Sequence, residues 1–141
     1  MLVVDASVAV KFVAAEPGQD EAFARVRTEQ SLIAPDWILI EVGHALWRKV
    51  RDGELGRTMA EQSLSTLPSL FEDLPGAAKS IKRAQTLAFE LDHWLYDCIY
   101  LATALDSDAP LLTADRKFWN AAKRSGYAAQ VELLTWPGKA E

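Results

Sequence analysis

The chain has 141 residues, half of them apolar and a quarter charged, with a net charge of −5. That is enough for one hydrophobic core, and the balance is that of an ordinary globular protein rather than a disordered or fibrous one. No apolar run approaches the roughly 20 residues of a membrane helix, the start lacks the basic flank of a signal peptide, and the single cysteine, Cys98, excludes an internal disulfide and a cysteine metal centre. One domain over residues 1–141 is expected, in the cytoplasm and without a membrane partner.

In chain order, Leu2-Val3-Val4 is a short apolar run ended by Asp5, and Ala6 to Ala15 continues as a helix closed by Glu16-Pro17-Gly18. Asp20 to Glu29 reads as a second helix and Leu32 to Ala34 as a second short strand. Pro35-Asp36 then opens a long helix that Gly53 can close. Arg57 to Phe89 is helical by pattern, but Pro68 and Pro75-Gly76 break it. Leu95 to Leu105 is a strongly apolar helix, Leu111 to Thr113 a buried strand, Asp115 to Ser125 a helix, and Val131 to Leu134 the last strand.

Strands alternating with helices predict an α/β protein, its parallel sheet covered on both faces and its site beyond the carboxyl ends of the strands. That rule selects Asp5, at the end of the first strand, and Asp115, just past Leu111–Thr113. Glu41 lies in the helix entered from the second strand, and Asp97 opens the helix leading into the third.

Each acid has a structural alternative. Asp97 is the only ionisable carboxylate between Trp94 and Ala102, and a buried unpaired carboxylate is expensive. Near a helix start it can also serve as a cap worth about 0.5–2 kcal/mol. Asp5 and Asp115 sit at strand-to-helix junctions where carboxylates commonly cap. Glu41 lies at the margin of an apolar helix face and can pair with Arg48 or His44 on a solvated stripe, for a few tenths of a kcal/mol. Glu41-Val42-Gly43-His44 also spells the Glu-x-x-His of di-iron bundles, but one copy in an α/β chain does not make that site. His93 reads as a helix-entry residue. The five tryptophans are assigned to core or interface, although such rings can stack on bases.

An acidic chain is a poor generic binder of nucleic acid. Setting four carboxylates against bound cations takes the net charge from −5 to −1, and Arg48, Arg51, Arg116 and Lys117 then offer local contacts to flanking phosphates. Two rival readings remain. A magnesium-dependent phosphatase would need a second carboxylate close to the first, which Asp5-Ala6-Ser7 lacks; a non-catalytic binding module would have no reason to keep four acids.

Together these segments resemble the PIN-domain family, and within it the VapC-type toxins of toxin–antitoxin pairs. Val4-Asp5-Ala6-Ser7-Val8 with Glu16-Pro17-Gly18 is similar to the family's opening strand and helix. Glu41 in Glu41-Val42-Gly43-His44-Ala45-Leu46-Trp47 matches its second acidic position, Tyr96-Asp97-Cys98-Ile99-Tyr100-Leu101-Ala102 its most recognisable stretch, and Thr113-Ala114-Asp115 its fourth acidic motif. Residues 57 to 90 carry little of the resemblance, and Asn120 stands where some relatives have a further acid. The resemblance implies a three-layer sandwich with a short, mostly parallel sheet, and a Mg²⁺- or Mn²⁺-dependent endoribonuclease. It also implies a homodimer, held inactive by a VapB-like antitoxin. Asp5 and Asp97 would then be the closest metal ligands, with Glu41 and Asp115 completing the set and Ser7 and Thr113 supporting them.

Overall fold

The computed structural model describes residues 1–139. Its centre is a four-stranded parallel sheet of β1 (Leu2–Val4), β2 (Leu32–Ile33), β3 (Leu111–Thr113) and β4 (Val131–Leu133), in the order β2-β1-β3-β4. Val3 pairs with Ile33 on one side and with Leu111 on the other, and Thr113 with Leu133. Every residue of β1 and β3 is buried, as expected of strands covered on both faces, which read as unbroken apolar runs rather than alternating ones.

Helices flank the sheet. They are α1 (Ala6–Val13), α2 (Gln19–Val26), α3 (Trp37–Arg51), α4 (Arg57–Thr66), α5 (Ile81–Leu91), α6 (Leu95–Asp106) and α7 (Arg116–Arg124). α1 packs on α2, α3 and β3, while α6 lies along α5 and meets β1 and β3. The expected α/β sandwich is present. Its strand order reverses between β1 and β3, and in an open parallel sheet such a switch point leaves a crevice beyond the strand ends. Asp5 and Asp115 stand on either side of it.

Several boundaries differ from the sequence reading. α1 ends two residues before Ala15 because Ala14 turns extended and the Gln19 amide donates to the carbonyls of Lys11 (2.8 Å) and Ala14 (3.2 Å), satisfying the helix end early. α2 stops at Val26 rather than Glu29. β2 is two residues long, and the next backbone donor, Ala34 N–H, goes to Asp73 instead. The stretch from Arg57 to Phe89 is two α-helices separated by two single-turn 3₁₀ segments, Leu67–Leu70 and Ala77–Ser80. Pro68 sits in the first turn of the earlier one, where its missing N–H costs nothing. No helix among the described residues is long and apolar enough to cross a membrane.

Candidate active site

Asp5 leaves β1 and caps α1. One carboxylate oxygen accepts from the Ser7 hydroxyl (2.5 Å) and Val8 N–H (3.2 Å), the other from the Thr113 hydroxyl (2.5 Å). Capping does not take Asp5 out of the cleft, which its side chain also lines. Ser7 Oγ in turn accepts from Ala114 N–H (2.9 Å), and Thr113 Oγ1 from Asp115 N–H (3.0 Å). These bonds tie the end of β1 to the end of β3 across the switch point. Even so, burial pushes the Asp5 carboxyl up to about 7, with Asp97 adding to the shift against the hydrogen bonds. Removal from water opposes the charged form more strongly than three donors restore it.

Asp115 caps α7, accepting from Lys117 N–H (2.9 Å) and Phe118 N–H (3.2 Å). Asp97 lies in the first turn of α6, but that helix has no side-chain cap. Its carboxylate instead meets His93 Nε2 at 2.6 Å. Burial raises Asp97, His93 opposes the rise, and Asp115 adds to it. Glu41 is not paired with Arg48 or His44. The Tyr100 hydroxyl of α6 donates to it at 3.0 Å, and His44 stacks on Trp47 with ring centres 5.4 Å apart. Burial, followed by Asp97, raises Glu41 as well.

Asp5, Glu41, Asp97 and Asp115 all line one open cleft of about 570 Å³. Four separate helix starts and faces thus converge on it, and Asp97 raises both Asp5 and Glu41. Among the described residues no three His, Cys, Asp or Glu side chains form a compact group that could hold a metal ion. The chemistry of the set nevertheless fits a hard divalent cation. Its donors are carboxylate oxygens that are costly to leave charged together, and Mg²⁺ takes only one or two carboxylates beside waters and phosphate.

Basic side chains line the same cleft. They include Arg48 and Arg51, and beside them Lys11, Lys49 and Glu16, three residues that the sequence reading does not place in the site. Glu16 bridges Lys11 (2.8 Å) and Lys49 (2.9 Å); burial opposes its charge, yet the two lysines hold it below the usual carboxylate range. Lys11 is almost fully buried, also donates to Pro17 O (2.7 Å), and lies 4.4 Å from the Trp136 ring centre. Trp136 also lines the cleft and packs on Gly18, whose φ of 88° suits glycine and whose Cβ, if present, would lie 2.5 Å from the ring. Arg116 and Lys117 follow Asp115 but are not lining residues of the cleft, and neither is Asn120. Two further contacts escaped the sequence reading: His93 on Asp97, from a residue assigned only to helix entry, and Tyr100 on Glu41. The i,i+4 spacing of His93 and Asp97 was the available signal for the first.

Acids collected at the switch point of a small parallel α/β sandwich define a PIN-like architecture. The comparisons agree, and the chain belongs to the PIN-domain family, whose family model matches residues 2–124. Ribonuclease VapC1 of Mycobacterium tuberculosis is 30% identical over 133 residues, covering 94% of this chain and 96% of that protein. Ribonuclease VapC3 of Pyrobaculum aerophilum is 33% identical over 118 residues, covering 82% and 90%. The crystal structure of PAE2754 from Pyrobaculum aerophilum superposes with a TM-score of 0.62 at 26% identity, covering 85% of this chain and 84% of that one.

Proposed function

We propose that this chain is a Mg²⁺- or Mn²⁺-dependent endoribonuclease acting as the toxin of a toxin–antitoxin pair. The observation that carries the reading is that Asp5, Glu41, Asp97 and Asp115 line one cleft, where burial, with Asp97 adding to it, raises Asp5 and Glu41. The similarity to two proteins named ribonuclease supports RNA as the substrate. The reading covers residues 1–141 as one domain, working in the cytoplasm as a homodimer, for which the exposed Phe89, Trp94 and Tyr96 offer an apolar face. A VapB-like partner would restrain it by presenting an Arg or Lys to the acids.

Asp5 and Asp97 would be the closest ligands, and Glu41 and Asp115 would complete the set or orient water. Ser7 and Thr113 fix Asp5 from behind, the arrangement that keeps a ligand pre-aimed. When bound, the cation supplies an activated water and neutralises charge gathering on the phosphate. Arg48 and Arg51, which line the same cleft, hold flanking phosphates, with Arg116 and Lys117 as outer contacts. Attack of water on phosphorus, with departure of the 3′ oxygen and its uptake of a proton from solvent, would leave 5′-phosphate and 3′-hydroxyl ends.

The test is cleavage of an end-labelled RNA by purified protein. Cutting is expected with Mg²⁺ or Mn²⁺ and not in excess chelator, and Asp97→Asn should abolish it while the far-UV spectrum is unchanged. Full activity in chelator, or in Asp97→Asn, overturns the mechanism. Equal, mutant-sensitive hydrolysis of a simple phosphomonoester would favour a phosphatase instead.

A further inference from the structure

We propose that His93 is a positioning residue for Asp97, holding one carboxylate oxygen so that the other alone faces a cation or its water. The inference rests on the metal-holding role proposed above and adds to it a residue from outside the acidic set.

His93 is fixed at three points. Its backbone N–H donates to Ala88 O (3.2 Å), so the residue continues the hydrogen bonding of α5 just past Asp92, which turns the chain with a φ of 48°. Its ring packs on Phe118 of α7, with ring centres 5.1 Å apart and planes tilted by 44°. Its Nε2 reaches Asp97 Oδ2 at 2.6 Å. The imidazole side chain is 8% exposed against 26% for that of Asp97. The histidine therefore lies behind the acid, and the acid presents toward solvent. Phe118 is fully buried and begins one turn after Asp115 caps α7. One ring thus connects the α5–α6 turn, the first turn of α6 and the first turn of α7, the last two of which each deliver a cleft acid.

The bond also decides what Asp97 can do. When Asp97 is ionised its carboxylate only accepts hydrogen bonds, so Nε2 then carries the hydrogen and Oδ2 is engaged. Oδ1 is left as the oxygen for a cation or its water. Mg²⁺ demands near-ideal geometry from the few carboxylates it takes, and a freely rotating carboxylate would have to be ordered on each binding event. Asp5 is fixed by a different arrangement, with Ser7 and Val8 on one carboxylate oxygen and Thr113 on the other. The two closest acids therefore both arrive pre-aimed, one by hydroxyls and the other by an imidazole.

The test compares His93→Phe, which keeps a ring against Phe118 but has no donor, with His93→Gln, whose amide nitrogen can take the place of Nε2. The Mn²⁺ dissociation constant is read from the free-ion paramagnetic resonance signal, with cleavage of RNA at saturating Mn²⁺ and melting in chelator measured alongside. His93→Phe should bind Mn²⁺ about 10- to 100-fold more weakly, and His93→Gln should return to within a few-fold of wild type. Cleavage in His93→Phe should recover partly as Mn²⁺ is raised. Wild-type Mn²⁺ affinity in His93→Phe overturns the inference and leaves the nuclease reading intact. So does an equal loss in both variants, which would assign the effect to packing. A wild-type protein that binds no Mn²⁺ overturns both.

Discussion

Replacing Asp5 by Asn should stabilise the metal-free protein at alkaline pH and not at acid pH. The Asp5 carboxyl titrates at about 7 in the fold against 3.8 when unperturbed. At about 1.4 kcal/mol per unit, the ionised side chain then opposes folding by roughly 4 kcal/mol once the pH exceeds 7. The sign follows from proton binding. Across the window from about pH 4 to about pH 7 the folded state holds a proton that the unfolded state has released, so stability falls as the pH rises; below that window both states are protonated and the burden vanishes. Asn keeps an acceptor for Ser7 and Val8 but meets Thr113 with an amide, losing one hydrogen bond worth about 1 kcal/mol. The balance at pH 8 is roughly 3 kcal/mol in favour of the variant, which for a chain this size is a rise of about 10 °C in Tm. Near pH 4 the variant should be the weaker by about 1 kcal/mol. Thermal melts of both proteins in chelator at the two pH values measure the difference. A variant destabilised equally at both would refute the reasoning and leave Asp5 as a plain helix cap.

Glu16→Ala should destabilise the protein by about 3 kcal/mol, measured by urea unfolding, because it leaves the buried Lys11 ammonium with Pro17 O as its remaining hydrogen-bond partner. Gly18→Ala should cost at least about 1–2 kcal/mol in the same assay, since an alanine at φ 88° is strained and its Cβ must displace Trp136. Expression of the wild-type chain should arrest bacterial growth, and Asp97→Asn should abolish the arrest; a cognate antitoxin should restore growth as measured by colony counts.

The sequence made the architecture legible because central parallel strands are short, continuous apolar runs, and Leu2-Val3-Val4 and Leu111-Leu112-Thr113 have no polar alternation to confuse them. Asp5 and Asp115 were legible for a related reason: strand ends are where such a sheet exposes chemistry. The partners of the acids were harder to see. Tyr100 to Glu41 and Thr113 to Asp5 are contacts across 59 and 108 residues, and nothing local encodes them. Nothing local in the sequence marks Lys11 as buried, because its surroundings are Glu16, Pro17 and the distant Trp136 together. The region from Arg57 to Phe89 stayed ambiguous because prolines mark breaks without saying whether the chain between them turns as 3₁₀ or runs extended. Capping and a place in the cleft stand as alternatives for Asp5 and Asp115 in the sequence, yet in the fold each carboxylate caps its helix and also lines the cleft.

The most direct test is a crystal structure of the protein with Mn²⁺, with the ion located by anomalous scattering. One or more Mn²⁺ peaks are predicted in the cleft, each within about 2.0–2.4 Å of carboxylate oxygens from Asp5 or Asp97 and with Glu41 and Asp115 reaching the ion directly or through water. Mn²⁺-dependent RNA cleavage by crystals or protein whose only Mn²⁺ lies outside this cleft would contradict the account.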